Sequence, residues 1–364
     1  MNSYIKKSVR AMTGYVPGEQ PADLSVIKLN TNENPYPPSP RIRKVLAGLS
    51  LDALRRYPDP LSCSLRRALA NLHGCDPERV FAGNGSDEIL ALCTRAFVED
   101  KGAIGYFNPS YSLYPVLAAI RDVATRPVEL GKHFEWRMPD NYVWSPAYAR
   151  KSRGLPRGAS LFFLTNPNAP TGILYPKAKV KSFCRRFRGV VVIDEAYVDF
   201  SSEHCMDLAL ASDNVLVLRT LSKAYSLAGL RLGYAVGAPP LIAALYKIKD
   251  SYNLNRLTQE VALAAVSDPG AMRANVARVK RTRGRLTAAL EKMGFFVFPS
   301  EANFLWVKPP RIAARTLYQR LAERKIFVRY FAGPRIGAYL RITVGSDPQV
   351  DVLLKALRQI LGAK

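Results

Sequence analysis

Residues 191–197 read VVIDEAY, and residues 219–234 read RTLSKAYSLAGLRLGY. In the first stretch, four apolar residues, Val190 to Ile193, run straight into Asp194 and Glu195. In the second, the apolar run Val215–Leu218 ends just before Ser222 and Lys223. Short unbroken apolar runs of this kind are strands buried on both faces. Others recur at AIGYF (103–107), LFFLT (161–165) and GYAVG (233–237), with helix-like amphipathic stretches between them. Strands alternating with helices specify an α/β fold: a mostly parallel central sheet with helices on both faces. Ligands in such sheets bind beyond the carboxyl ends of the strands. Asn166, Asp194 and Lys223 each follow an apolar run closely, so the pattern puts all three on one rim.

The rest of the chain sets the frame. The N-terminal 35 residues are rich in Pro, Gly and Asn and only weakly periodic, which predicts an arm. A large domain over 36–255 follows, then a smaller α+β domain over 256–364. Helices are expected over 241–267 and 271–293, and strands in FFVFPSEANFLWVK (295–308) and KIFVRYF (325–331). The terminal segment 348–361 is amphipathic and reads as a helix. No apolar run approaches the ~18 residues of a membrane span. The first twenty residues lack a secretory apolar core. Five scattered cysteines without a CxxC pair suit a reducing cytoplasm, and three isolated histidines offer no metal site.

Charge is the odd feature: 53 Lys+Arg against 29 Asp+Glu, a formal net of +24. The densest stretches are ARKSRGLPRG (149–158), KAKVKSFCRRFRG (177–189) and MRANVARVKRTRGRL (272–286). Such a balance permits nucleic-acid binding. The basic residues, however, sit at helical spacing among apolar partners, and no aromatic or zinc-finger recognition motif accompanies them. Solvated helix faces are the simpler reading, with no nucleic-acid partner expected.

Chemistry concentrates at the rim. A lysine at a strand end is usually a solvated charge. Lys223 is flanked by Ser222, by Arg231 and by glycines 229 and 233, which allow close backbone approach. A lysine beside phosphate-binding groups fits Schiff-base chemistry on pyridoxal phosphate. Asp194 could merely cap a helix, but a carboxylate at the end of a buried strand needs a partner. A protonated pyridine nitrogen is one. Tyr197 could reach the cofactor's phenolic oxygen, and so could Asn166 in NPNAPTG (166–172), a turn stiffened by its prolines. GNGSDEIL (83–90) reads as a glycine turn into a helix capped at Ser86-Asp87, whose free N–H groups suit a phosphate. Tyr111 could stack on a ring or simply pack.

These residues are familiar in combination. Together with LNTNENPYPPSP (29–40), YPDP (57–60), PSYSLY (109–114), DEAYVDF (194–200), YNLNRLTQE (252–260), SEANFLWV (300–307) and LRITVGS (340–346), the sequence resembles fold-type I pyridoxal-phosphate aminotransferases. Within them it resembles the histidinol-phosphate aminotransferase subfamily. The resemblance implies pyridoxal 5'-phosphate joined to Lys223, which then shuttles a proton. It implies Asp194 on the pyridinium, Asn166 and Tyr197 on the phenolic oxygen, and Tyr111 stacked on the ring. Ser86, Asp87, Ser222 and Arg231 would hold the phosphate, and Tyr57 would reach it from the second subunit of a homodimer. Arg329 and Arg341 would bind the substrate's anionic end, with Tyr15 and Asn34 lining the pocket. The implied reaction exchanges L-histidinol phosphate and 2-oxoglutarate for imidazole acetol phosphate and glutamate, in histidine biosynthesis. An aromatic amino-acid aminotransferase and a phosphothreonine decarboxylase share the fold and stay open. Ala169 stands where Asn or Ser is also common, with no consequence expected for the chemistry.

Overall fold

The structure, a computed structural model, describes residues 4–23, 25–137 and 159–362. The basic stretch 149–158 falls outside them. In chain order the strands are β1 (Ile27–Lys28), β2 (Val80–Asn84), β3 (Ala103–Asn108), β4 (Ala124–Glu129), β5 (Leu161–Thr165), β6 (Val190–Asp194) and β7 (Val215–Thr220). They continue with β8 (Leu232–Gly237), β9 (Phe296–Val297), β10 (Phe304–Lys308), β11 (Ile326–Phe327), β12 (Arg329–Tyr330) and β13 (Leu340–Thr343).

Seven of these form one sheet in the order β2-β8-β7-β6-β5-β3-β4. The pairs β7·β6, β6·β5, β5·β3 and β3·β4 are parallel, and β8 runs antiparallel to both of its neighbours. The unbroken apolar runs are explained by two cores, one on each face. Phe162, Leu164, Val191, Ile193, Val215 and Val217 point to one core. Their neighbours Leu161, Phe163, Val192, Leu216 and Leu218 point to the other, following the two-residue period of a strand. The first face is covered by helices Cys63–His73 and Lys177–Arg186. The second is covered by Gly85–Phe97, Leu113–Arg121 and Pro239–Ile248.

A second, antiparallel sheet has the order β12-β13-β10-β9. Helices Pro269–Lys292, Ala314–Ala322 and Asp347–Leu361 share a core with it through Leu286, Leu290, Leu317, Leu321, Leu353 and Leu357. β1, from the N-terminal segment, pairs in parallel with β11. The helical stretch expected over 241–267 is two helices, Pro239–Ile248 and Arg256–Val266. The break has a local cause: Asn255 is extended, and its side chain caps the second helix at the Thr258 N–H.

A polar clasp joins the two sheets. Arg335, in the β12–β13 connection, donates to the carbonyls of Asn108, Leu130 and Gly131 at 3.1, 2.6 and 3.0 Å and pairs with Glu129. Asn108 lies directly before the Pro109–Tyr111 strip that borders the pocket described below.

Candidate active site

Parallel pairing puts Thr165 beside Asp194 and Asp194 beside Leu218, so three strand ends share one rim. The antiparallel β8 brings its start to the same rim, with Leu221 bonded to Leu232. β2 ends opposite Leu232 and delivers the start of helix Gly85–Phe97 there. Above this rim is a cavity of about 270 Å³. Its lining includes Tyr15, Ser86, Asp87, Tyr111, Asp194, Tyr197, Ser222, Lys223, Arg231, Arg329 and Arg341. Eleven of the fourteen residues expected from the sequence therefore border one space.

Asp194 is buried, accepts from Tyr114 Oη at 2.9 Å and from the Ala196 N–H at 3.1 Å. Burial pushes its carboxyl up to about 6, against those two hydrogen bonds, which lower it. A nearby cation would restore its charge. Lys223 donates from Nζ to the Thr31 carbonyl at 3.1 Å. Withdrawal from water, helped by the Arg341 guanidinium, pushes its ammonium down to about 8. The site thus favours a lysine that gives up its proton easily. Glu195, the second acid of the motif, turns away from the cavity and is held by Arg219 at 2.8 Å beneath the rim.

One end of the cavity is built for an anion. Ser86, Thr220, Ser222 and Arg231 line it. Thr220, which the sequence reading missed, donates to Ser222 Oγ at 2.9 Å. Gly85 has φ +77°, and a Cβ there would meet Arg231 Nη2 at 2.5 Å. A Cβ on Gly233 would meet the Ser86 nitrogen at 2.5 Å, so that glycine lets β8 abut the helix start. Gly229 meets nothing within 4 Å, and the expected close approach there is absent. Asn84 takes the N-cap position, without a side-chain capping bond, and Ser86-Asp87 lie in the first turn. The Asp87 carboxylate accepts from Tyr111 Oη at 3.2 Å and sits 3.6 Å from Arg231. A carboxylate cannot donate to a phosphate oxygen, so its side chain anchors those two residues instead.

The opposite wall comes from the N-terminal segment and the second sheet. Arg329 and Arg341 face each other in register across β12 and β13. Arg341 Nη2 donates to the Asn30 carbonyl at 3.0 Å, while its buried Nε has no protein partner. Arg329 donates to the carbonyls of Val16 and Pro17, both at 3.0 Å. Tyr15 sets its ring edge-on to Tyr111, centroids 5.8 Å apart.

Three expectations need comment. Asn166 does not line the cavity. Both ends of its amide are bonded to the Tyr175 backbone, at 2.8 and 3.1 Å, which fixes the turn. Ala169 and Pro170 are the residues this turn presents to the cavity. Asn34 also points elsewhere: its Nδ2 donates to the carbonyls of Lys223 and Ala224, both at 3.2 Å, so it shapes the lysine's backbone. Tyr57 is 77% exposed, stacked on Tyr252, and outside the lining of its own chain's cavity.

The pattern of the aminotransferase class I and II family matches residues 25–357. The chain belongs to that family. The enzyme is 44% identical over 358 residues to the histidinol-phosphate aminotransferase of Geobacter sp. (strain M21), covering 98% of each. It is 45% identical over 362 residues to histidinol-phosphate aminotransferase 2 of Thiobacillus denitrificans, again covering 98% of each. In fold it is similar to the histidinol-phosphate aminotransferase from Sinorhizobium meliloti in complex with pyridoxal-5'-phosphate, with TM-score 0.85, 23% identity and coverage of 100% and 99%. The enzyme is a pyridoxal-phosphate-dependent aminotransferase of fold type I. Its residues fit that cofactor: a lysine with a depressed pKa, a buried carboxylate short of a cation, and serines beside an arginine at a helix start.

Proposed function

We propose that the enzyme transaminates L-histidinol phosphate with 2-oxoglutarate in histidine biosynthesis. The observation that carries this reading is the pair Arg329–Arg341 on one wall of the lysine's cavity. Two guanidiniums suit a dianionic phosphate, and one suits the carboxylate of glutamate. The names of the relatives at 44% and 45% identity support the same substrate.

When bound, pyridoxal phosphate supplies the electron sink. Ser86, Ser222 and Arg231 would hold its phosphate at the helix start, with Asp87 steadying Arg231. Asp194 would hold a proton on the ring nitrogen, Tyr111 would stack on the ring, and Tyr197 would offer its hydroxyl to the phenolic oxygen. Lys223 Nζ takes and returns the proton at the substrate's reacting carbon. Its depressed pKa lets it act as a base near neutral pH. Arg341 and Arg329 orient the substrate's anion, and Tyr15 closes that side.

We also propose a cytoplasmic homodimer in which Tyr57 completes the partner's phosphate site, with domain limits at 36–255 and 256–364. The exposed, mutually stacked rings of Tyr57 and Tyr252 support a partner there. Mixing inactive Tyr57→Ala and Lys223→Ala enzymes should restore activity through hybrid dimers, given subunit exchange. The substrate is tested with an amine panel: histidinol phosphate, aromatic amino acids and phosphothreonine, each with 2-oxoglutarate. Histidinol phosphate should give the highest kcat/KM. Preference for an aromatic amino acid, or carbon dioxide release from phosphothreonine, would overturn the reading.

A further inference from the structure

Tyr197 has a neighbour that none of the motifs singled out. Asn32 is 1% exposed and has φ +56°, a conformation that asparagine tolerates better than most residues. Its Nδ2 donates to Tyr197 Oη at 3.0 Å. Its Oδ1 accepts from the Thr343 hydroxyl at 3.0 Å, and its backbone N–H donates to the same hydroxyl oxygen at 3.0 Å. Its carbonyl accepts from Asn303 Nδ2 at 2.9 Å. The residue is therefore tied at four points, between the N-terminal segment, β13 and the turn before β10.

The direction of this chain follows from counting protons. Thr343 Oγ1 accepts from the Asn32 N–H, and its single proton has Asn32 Oδ1 as acceptor. Turning the amide over would set Nδ2 against that hydroxyl and leave the buried Thr343 proton without an acceptor, an arrangement that buried hydroxyls avoid. With the amide this way round, Tyr197 Oη accepts a hydrogen bond from Asn32. Its own proton is then free to point into the cavity. With the amide reversed, the hydroxyl would donate to Oδ1 and turn its proton away. The 166–172 turn contributes only Ala169 and Pro170 to the cavity, so no side-chain donor from that turn shares the work.

We propose that Asn32 is a positioning residue that fixes the direction of the Tyr197 hydroxyl, so that its proton is offered to the cofactor's phenolic oxygen. The inference rests on the assignment of Tyr197 to that oxygen. Arg341, Asp194, Tyr15, Tyr111 and Lys223 are the charged and titratable groups around Tyr197; the charge that Asn32→Asp adds acts on them as well, and the Tyr197→Phe background separates the two effects.

The test is spectroscopic, on cofactor-loaded enzyme: the pH midpoint of the visible band that reports the proton on Lys223 Nζ. Removing a donor from the phenolic oxygen leaves more negative charge there. That charge favours the proton on the lysine nitrogen, so the midpoint rises. Asn32→Asp keeps the shape and the backbone conformation but offers only acceptors, which draws the Tyr197 proton away. We expect a rise of about one pH unit, on the scale of one charge-assisted hydrogen bond. Tyr197→Phe should give a similar rise, and the double variant should add less than about 0.3 unit, because both changes remove one interaction. Thr343→Val should raise the midpoint by a smaller amount, while Thr343→Ser should match wild type; these two decide the matter if Asn32→Asp does not fold. A shift that persists undiminished in the Tyr197→Phe background would mean the new charge acts alone, and would overturn the proposal. So would unchanged midpoints in both Asn32→Asp and Thr343→Val. If Tyr197→Phe itself leaves the midpoint unmoved, the Tyr197 assignment falls, and the inference with it.

Discussion

The two sides of the cavity are built differently. The rim side comes from strand ends of one sheet, where each polar group follows a buried run within a few residues: Thr165, Asp194, Thr220, Ser222 and Lys223. The facing wall is gathered from distant chain: residues 15–18, residues 30–33, and two arginines on a second sheet. The rim is rigid by construction, because its strands are buried on both faces and hold one another in register. The wall depends on side chains bonding to backbone carbonyls, as Arg341 does to Asn30 and Arg329 to Val16 and Pro17. Chemistry should therefore fail outright when the rim is changed. Substrate choice should shift when the wall is changed.

The largest effect belongs to the rim. Lys223→Ala should reduce multiple turnover by on the order of 10⁴-fold or more, since neither the covalent link nor the proton transfer survives. The cofactor should still bind through the groups around its phosphate, measured by equilibrium dialysis. Steady-state activity near wild type would end the catalytic assignment. Next comes Asp194→Ala, which should cost at least about 3 kcal/mol in transition-state stabilisation, as for loss of a preorganised electrostatic partner. Full kcat with cofactor bound would reduce Asp194 to a fold residue. On the wall, Arg341→Ala should weaken both half-reactions by roughly 2–4 kcal/mol, because the anion of either substrate loses its buried partner. Single-turnover rates for the two substrates measure this.

A pH experiment couples the two sides. Capture of pyridoxal phosphate by cofactor-free enzyme needs Lys223 as a neutral amine. With the ammonium pushed down to about 8, the capture rate should rise about tenfold per unit below that pH and level off above it. An unperturbed lysine would keep gaining up to 10.5. The Arg341 charge is the second cause of the depression, after withdrawal from water. Arg341→Ala should therefore move the midpoint upward. A midpoint that stays near 8 in that variant would mean the wall exerts no electrostatic hold on the rim.

The same division explains what the sequence made legible. The central sheet could be read because its strands alternate between two cores and so appear as unbroken apolar runs. Asp194, Ser222, Lys223 and Arg231 could be read because strand ends fix them locally. Asn166 was misjudged because it too follows a strand. Whether its amide faces the cavity depends on the Tyr175 backbone, which no spacing rule reveals. Asn34 was misjudged likewise, since NENP offers several amides and only the tertiary fold sorts them. Asn32 was missed for the same reason: its partners, Tyr197, Thr343 and Asn303, lie far along the chain. Tyr57 is outside its own chain's cavity, so only its family pattern speaks for it.

The smallest expected effect tests the wall most finely. Arg329 faces Arg341 in register and lines the cavity, yet two of its N–H groups already serve the carbonyls of Val16 and Pro17. A guanidinium has five N–H groups, so the remaining ones can still reach an anion. A phosphate dianion calls for a second positive partner more than a carboxylate does. Arg329→Ala should therefore slow the histidinol-phosphate half-reaction by about 1 kcal/mol in k/K, in the range of a partly solvated charge pair. The glutamate half-reaction should change by less than about half of that. Releasing residues 16–17 acts on both substrates alike, because their contact with Arg329 is made before either binds. Equal losses would thus assign Arg329 to holding the N-terminal segment in place. Substrate selection would then rest on Arg341 and Tyr15, and an aromatic amino acid would become the amine donor to test first.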